Sequence, residues 1–150
     1  MSSNYKTNVP PERYNMLVEA MDAMYSGMKG LSYEDAIKKI RKSIYPNDPR
    51  DFQILFGDYG VLVSSCDVLS AEKLEEVRAF LASQKKVYRG MKFYVRVFPS
   101  ITYGKKKKMA VLEPGLILWE FERVSDEIAL TLTNQVSAIT GIQMTAVKKN

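Results

Sequence analysis

The feature that most constrains this chain is a basic stretch from Gln84 to Lys108 that must lie largely on the surface. Nine basic residues and no Asp or Glu occur in it (Lys85, Lys86, Arg89, Lys92, Arg96, Lys105, Lys106, Lys107 and Lys108). Burying a charge without a partner is costly, and the stretch supplies no acidic partner of its own. The four adjacent lysines at its end therefore predict an exposed loop.

The charge of the whole chain is segregated into this stretch. The chain has 22 basic and 17 acidic residues, so the remainder holds 13 basic residues against 17 acidic ones. Clustered Lys and Arg side chains release counterions from a phosphate backbone, and such segregation is typical of a protein with a polyanionic partner. A solvated basic face with no partner is the alternative.

Composition excludes several classes of site. With 150 residues and 46% hydrophobic content, the chain can bury a core. Cys66 is its single cysteine and histidine is absent, which excludes an intramolecular disulfide, a Cys–His or Ser–His nucleophile and a Cys-rich zinc site. We expect Cys66 to be a buried, unreactive thiol and expect no cofactor. No apolar run approaches the roughly 20 residues of a membrane span.

Residues 1–50 are predicted to form an N-terminal helical extension. After Pro10 and Pro11, apolar residues recur at helical spacing (Leu17, Met21, Met24, Met28), and Ser32 begins a second helix with a second apolar face (Ile37, Ile40, Ile44). A packed helical hairpin is favoured over a DNA-binding helix-turn-helix. The methionine stripe predicts that residues 10–45 dock on a neighbouring protein; packing on the chain's own domain is the alternative.

Residues 51–150 are predicted to form an α+β domain in the order β-α-β-β-β-α-β, with helices packed on a mixed sheet. A strand segment spans 52–63, a helix begins after Ser70, a strand spans 92–98, and a loop covers 100–108. Residues 109–112 and 116–122 are predicted to pair as a hairpin about Pro114-Gly115. A second helix begins after Ser125 and ends at Gly141, and 142–147 reads as a last strand. The buried faces of the two helices are predicted to face a sheet containing Val95, Val97 and Ile117 (Leu74, Val77 and Leu81; Ile128, Leu132, Val136 and Ile139).

Three motifs in this domain resemble a known family. They are Phe56-Gly57-Asp58-Tyr59-Gly60, the run from Lys92 to Pro99 (KFYVRVFP), and the run from Glu113 to Glu120 (EPGLILWE), with a Gly-Lys-rich loop between the last two. In this order they resemble the bacterial-type large-subunit ribosomal protein sixteen family over roughly residues 52–149. The resemblance implies a hammerhead-like ribosomal protein fold and a structural, non-enzymatic role in the large subunit.

The resemblance also implies partners and a location. The expected partners are large-subunit rRNA near the A-site tRNA region, neighbouring ribosomal proteins through residues 10–45, and A-site tRNA. The rRNA-binding residues would be the nine cations with Tyr103 and Gly104, while Tyr88, Tyr94 and Tyr103 could stack on bases. In the family the segment between Phe-Pro and the Gly-Lys run is longer and the N-terminal arm is basic. These departures favour an organellar, mitochondrial member; another organellar ribosome or a bacterial ribosome in the cytoplasm is the alternative.

Two functions of other kinds remain open on the sequence alone. One is a free-standing RNA-binding or regulatory module that never joins a ribosome. The other is an enzyme using a carboxylate pair drawn from Asp58, Glu113 and Glu120, which is the least favoured because nothing positions a nucleophile or cofactor.

Overall fold

The computed structural model describes residues 9–25, 30–44 and 48–150, which form four helices and seven strands. In chain order the elements are α1 (Pro11–Tyr25), α2 (Tyr33–Ile44), a 3-10 turn (Pro49–Phe52), β1 (Tyr59–Val63), β2 (Asp67–Ser70), α3 (Ala71–Gln84), β3 (Lys92–Val95), β4 (Ile101–Tyr103), β5 (Lys107–Leu112), β6 (Ile117–Glu122), α4 (Asp126–Thr140) and β7 (Met144–Lys148). The α+β class is confirmed. The predicted single mixed sheet is replaced by two antiparallel sheets, ordered β3-β6-β1-β7 and β2-β5-β4.

The predicted signals at the ends of α3 and α4 are confirmed. Ser70 accepts a hydrogen bond from the N–H of Lys73, and Ser125 accepts one from the N–H of Ile128. Each satisfies a backbone donor that the first helical turn would leave unpaired. Gly141 ends α4 at φ 70°, a left-handed conformation that glycine adopts without steric cost.

A first core lies between the four-stranded sheet and the helices α3 and α4. The predicted helix faces are buried there (Leu74, Val77, Leu81, Leu132, Val136), with Ile128 and Ile139 partly buried beside them. The sheet contributes the two largest fully buried side chains, Trp119 and Phe121. Val97 joins this core beyond the end of β3, and Val95 packs at its margin. Ile117 is buried too, but it lies beside Gly60 and is not part of this core.

A second core places α1 and α2 against the three-stranded sheet. The helices contribute Met16, Leu17, Ala20, Met21, Tyr33, Ala36, Ile37 and Ile40, and the sheet contributes Val68, Ile101, Tyr103, Met109 and Val111. Met21 is fully buried, so the stripe expected to dock on a neighbouring protein packs at this position on the chain's own sheet. Met24 is exposed, and Met28 lies outside the described residues. This core contains residues from both sides of the boundary predicted at residue 50.

The three-stranded sheet belongs to both cores because its two faces are both covered. Alternate residues of β2 and β5 face opposite sides: Leu69, Ala110 and Leu112 lie in the first core, whereas Val68, Met109 and Val111 lie in the second. A strand buried on both faces reads as a continuous apolar run, as residues 109–112 do. The sheet therefore joins the N-terminal helices to the rest of the molecule.

A buried ion pair reinforces this joint. Nε of Arg13 in α1 lies 3.0 Å from Oδ1 of Asp67 in β2, and the hydroxyl of Tyr33 donates to the same oxygen at 2.9 Å. Arg13 also donates to the carbonyl oxygens of Thr140 and Gly141 at the end of α4. Burial raises the pKa of Asp67 above its ordinary value, although the N–H of Val68 and Arg13 oppose this.

The predicted hairpin of residues 109–112 and 116–122 is wrong. The turn itself is present: Leu116 donates to the carbonyl oxygen of Glu113 at 3.2 Å, and Gly115 has φ 96°. However, β5 pairs with β2 and β4, whereas β6 pairs with β1 and β3. The chain crosses from one sheet to the other at this turn, and the turn residues cannot reveal which distant strands compete for each edge.

The other departures concern short segments. The predicted loop 100–108 is largely a hairpin, in which β4 and β5 pair from Ile101↔Met109 to Tyr103↔Lys107 and leave a three-residue turn at 104–106. The strand predicted from Phe52 begins only at Tyr59, and the four-residue strand β2 was missed. Asp67 begins β2 as a buried carboxylate whose side-chain partners, Arg13 and Tyr33, are remote in sequence, so the local residue pattern did not predict this strand.

Candidate nucleic-acid interface

The four lysines of the basic stretch form one end of the β4–β5 hairpin and are all exposed. Lys105 and Lys106 lie in its turn, and Lys107 and Lys108 begin β5. We call this set the hairpin lysines. In the described part of the chain, no carboxylate lies within ion-pair distance of any of them. Three of them, Lys106 to Lys108, line an open cleft of about 320 Å³ with the first residues of α3.

The backbone of this turn is tight. Gly104 has φ 57° and Lys106 has φ 62°, so two of its three residues are left-handed. A Cβ at Gly104 would lie 2.8 Å from Oε2 of Glu19 in α1, so glycine suits both the conformation and the space. Tyr103 is largely buried in the second core and supports the hairpin, and it also lines the same cleft as Lys106 to Lys108.

A second set of cations lies where α3 ends and β3 begins. Lys85 and Lys86 follow the last helical residue, Arg89 lies in the connecting turn, and Lys92 opens β3. All four are exposed, and none has a carboxylate partner among the described residues. We call them the helix-end cations. Lys85 lies over the ring of Phe93, with its Nζ 5.8 Å from the ring centroid.

The structure divides the contiguous basic stretch into two groups at opposite ends of α3. The hairpin lysines adjoin Ser70, Ala71 and Glu72 at the start of α3, whereas the helix-end cations follow its last turn. A helix of 14 residues is about 20 Å long. The stretch therefore presents two separate points of positive charge, which the linear sequence shows as one.

Arg96 differs from the other eight cations because its guanidinium is engaged within the protein. It forms an ion pair with Glu120, whose side chain is fully buried, and it donates to the carbonyl oxygens of Gln53 and Arg50 at 2.8 and 2.7 Å. Its side chain is only 10% exposed. Arg96 thus holds the segment that precedes β1 against the four-stranded sheet.

Glu120 is the centre of this arrangement. Its carboxylate accepts hydrogen bonds from the backbone N–H groups of Leu55, Phe56 and Gly57 at 3.0, 2.6 and 2.6 Å. Burial raises the pKa of Glu120, but these three donors and Arg96 outweigh it and leave the pKa below its ordinary value. The carboxylate is therefore ionised, and its role is structural. The sequence does not predict this role, because a carboxylate in a strand is commonly a surface residue.

The other two carboxylates considered for catalysis have separate structural partners. Glu113 accepts from Nε of Arg41 at 2.7 Å, and the carboxylate of Asp58 accepts from the backbone N–H of Arg123 at 3.2 Å. The described ranges contain no group of three acidic, Cys or His residues placed to hold a metal ion. None of the helices described is long and apolar enough to cross a bilayer.

The remaining aromatic and thiol candidates are partly or wholly covered. Tyr88 packs at the margin of the first core, and Tyr94 donates its hydroxyl proton to Glu122 at 2.5 Å while its ring lies 5.6 Å from that of Phe56. Cys66 is buried, as predicted, and burial raises the pKa of its thiol to about 11. By contrast, Phe56 and Phe98 are well exposed at a cleft of about 480 Å³ between the sheets, a feature that sequence analysis missed.

Together, the fold and the surface define a class of protein: a basic α+β protein with exposed, unpaired cations at two points. The chain is 28% identical over 113 residues to the large ribosomal subunit protein uL16 of Hydrogenobaculum sp., covering 66% of this chain and 79% of that relative. It is 31% identical over 106 residues to the uL16 protein of Dichelobacter nodosus, covering 61% and 76%, and 31% identical over 94 residues to that of Aquifex aeolicus, covering 53% and 65%. No family model matches the chain.

The chain belongs to the uL16 family of large ribosomal subunit proteins. The resemblance noted in the sequence is thereby confirmed.

Proposed function

We propose that this protein is a structural constituent of the large ribosomal subunit that binds rRNA through the hairpin lysines and the helix-end cations. Eight exposed cations without carboxylate partners in the described part of the chain carry this proposal. A phosphate backbone supplies the missing negative charge, and each contact releases counterions. The family's place in the large subunit, given by the names of its bacterial members, supports the same partner.

Within this proposal the nine cations of the basic stretch have different roles. The eight exposed ones meet phosphates, while Arg96 maintains the fold through Glu120. Tyr103 and Gly104 act through the shape of the hairpin, since one is buried beneath it and the other permits its turn. Contact with rRNA near the A-site tRNA region, and with the tRNA itself, would come from the hairpin tip at Lys105 and Lys106.

We further propose a mitochondrial ribosome as the location, because the three-residue turn and the two-helix extension depart from the family pattern in the direction of organellar members. The exposed side of α1 and α2, including Met24, would meet neighbouring ribosomal proteins. Fractionation of the source cells, followed by sedimentation of ribosomes, tests the location directly: the protein is expected with the mitochondrial large subunit, and recovery with cytoplasmic ribosomes alone would refute it.

Replacement of the four hairpin lysines by Ser tests the RNA contact. Binding to a transcript of bacterial large-subunit rRNA is measured across a salt series, and the salt slope is expected to fall by about 3 because each phosphate contact contributes about 0.7–0.9. The thermal melt should not change, since these side chains are exposed. Lys38→Ser/Lys42→Ser on the exposed side of α2 is the control for loss of positive charge.

A free-standing RNA-binding module would show the same salt slope, so a second measurement separates it. The wild-type protein should co-sediment with large subunits after a high-salt wash, and the hairpin variant should be released at lower salt. RNA binding without co-sedimentation would favour the free-standing module, and an unchanged slope would refute the hairpin contact.

A further inference from the structure

One end of the four-stranded sheet gathers cations that are far apart in sequence. Because the sheet is antiparallel in the order β3-β6-β1-β7, the starts of β3 and β1 lie beside the ends of β6 and β7. Lys92 opens β3, Arg123 follows β6 directly, and Lys149 follows β7 directly. Neighbouring strands are about 4.8 Å apart, so the row from β3 to β7 spans about 14 Å.

Asp58 fixes the backbone of this sheet end. Its N–H donates to the carbonyl oxygen of Phe121 at 2.8 Å, and its own carbonyl oxygen accepts from the N–H of Lys149 at 2.8 Å. Its carboxylate accepts from the N–H of Arg123 at 3.2 Å. Gly57 permits this approach, because a Cβ there would lie 2.5 Å from the carbonyl oxygen of Phe121. Asp58 therefore fixes the backbone at Arg123 and Lys149, the residues that directly follow β6 and β7.

The conformation of Arg123 is unusual for its residue type. Its φ is 64°, in the left-handed region that glycine adopts freely and that a long side chain rarely occupies. The Arg123 side chain is exposed and has no carboxylate partner in the part of the chain that the structure describes. Backbone outliers of this kind gather at functional sites. The strained backbone of Arg123 therefore supports a functional role for its guanidinium.

The acidic residues nearby leave the three cations without partners. Glu122 accepts the hydroxyl proton of Tyr94, and Asp126 accepts from Tyr59 and lies 3.5 Å from Nζ of Lys148. Lys92, Arg123 and Lys149 form no ion pair with any described residue. We propose that Arg123 and Lys149 join Lys92, one of the helix-end cations, in a second contact face for the phosphate backbone of rRNA, separate from the hairpin lysines. This inference rests on the proposed function.

Arg123→Gly/Lys149→Ser is the informative variant. Both replacements keep the backbone N–H groups that Asp58 holds, and glycine adopts the φ of Arg123 more readily, so the melting temperature should stay the same or rise. Binding to the same rRNA transcript should show a salt slope lowered by about 1.5–2. Combination with the hairpin variant should lower it by about 5 in total. Lys38→Ser/Lys42→Ser again serves as the control for charge.

The second face and the proposed function can be refuted separately. If the hairpin variant lowers the slope and Arg123→Gly/Lys149→Ser does not, the second face is refuted while the RNA-binding function stands. If neither variant lowers it, the hairpin contact is refuted as well, and if the wild-type protein itself shows no salt-dependent binding to the transcript, the proposed function fails.

A positional readout makes the test independent of affinity. With Cys66 buried, a thiol introduced by Lys149→Cys can carry an iron chelate that cleaves nearby RNA in the bound complex. Strong rRNA cleavage is expected from this position and only background cleavage from Lys38→Cys. Equal background from both would refute the face.

Discussion

At the scale of single residues, the buried carboxylate of Glu120 stabilises the fold. It is fully buried, it accepts three backbone hydrogen bonds, and it pairs with Arg96. The backbone donors belong to the motif segment before β1, so one carboxylate joins two of the motifs that identify the family. Removing one partner of a buried pair leaves an uncompensated charge, which costs more than the pair itself contributes.

We therefore expect Glu120→Gln to lower the free energy of unfolding by about 3–5 kcal/mol, measured by urea denaturation at neutral pH. The effect should depend on pH. Because the folded-state pKa of Glu120 is lowered, its contribution is present above the ordinary Glu pKa of about 4.3 and is lost as pH falls toward the folded value. The difference in stability between the two proteins should thus shrink as pH falls below about 4.3 and disappear only below the lowered pKa of Glu120; a constant difference would contradict this role.

Cys66 provides a second residue-scale prediction. With a thiol pKa of about 11, about a thousandth of the side chain is thiolate at pH 8, against about a quarter for an ordinary cysteine. A disulfide reagent should therefore modify the native protein about 200-fold more slowly than the urea-unfolded protein. Native modification at the unfolded rate would show that the thiol is accessible and ordinary.

At the scale of elements, the approach of the segment before β1 to β6 leaves no room for a side chain. Gly57→Ala would place a methyl group 2.5 Å from a backbone oxygen of β6 that cannot rotate away. We expect destabilisation of at least about 3 kcal/mol, at the upper end for overpacking. Gly90→Ala is the matched control: its φ of 86° is strained, but nothing lies within 4 Å of the added carbon. It should cost about 1–2 kcal/mol, and equal losses would contradict the steric explanation.

At the scale of the whole molecule, the shared three-stranded sheet predicts one cooperative unit. Leu17 lies in the second core and Leu132 in the first, and both are fully buried. Leu17→Ala and Leu132→Ala should each lower the stability of a single unfolding transition by about 2–5 kcal/mol. Two calorimetric transitions, with Leu17→Ala shifting only one, would show that residues 1–50 and 51–150 are independent domains.

The sequence by itself determined the features that depend on neighbouring residues. Helix caps at Ser70 and Ser125, the glycine end of α4 and the apolar faces of α3 and α4 follow local rules, and the structure agrees with them. The absence of histidine and the single cysteine excluded catalysis by histidine and an intramolecular disulfide. The order of the motifs indicated the family. The helix signals depend on a few neighbouring residues, and the residue inventory and the order of the motifs can be read along the chain without knowledge of the fold.

Only the tertiary structure decided the features that depend on pairing between distant segments. Strands β5 and β6 flank a turn yet join different sheets, because strand partners are selected by burial across the whole molecule. In the sequence Arg96 cannot be distinguished from the neighbouring cations; only the fold shows that it forms an ion pair with Glu120. The basic stretch looked continuous, but α3 separates its two groups, and Arg123 and Lys149 meet only because an antiparallel sheet brings their strand ends together. The sequence determines how many charged residues there are, whereas the fold determines which of them lie close together in space.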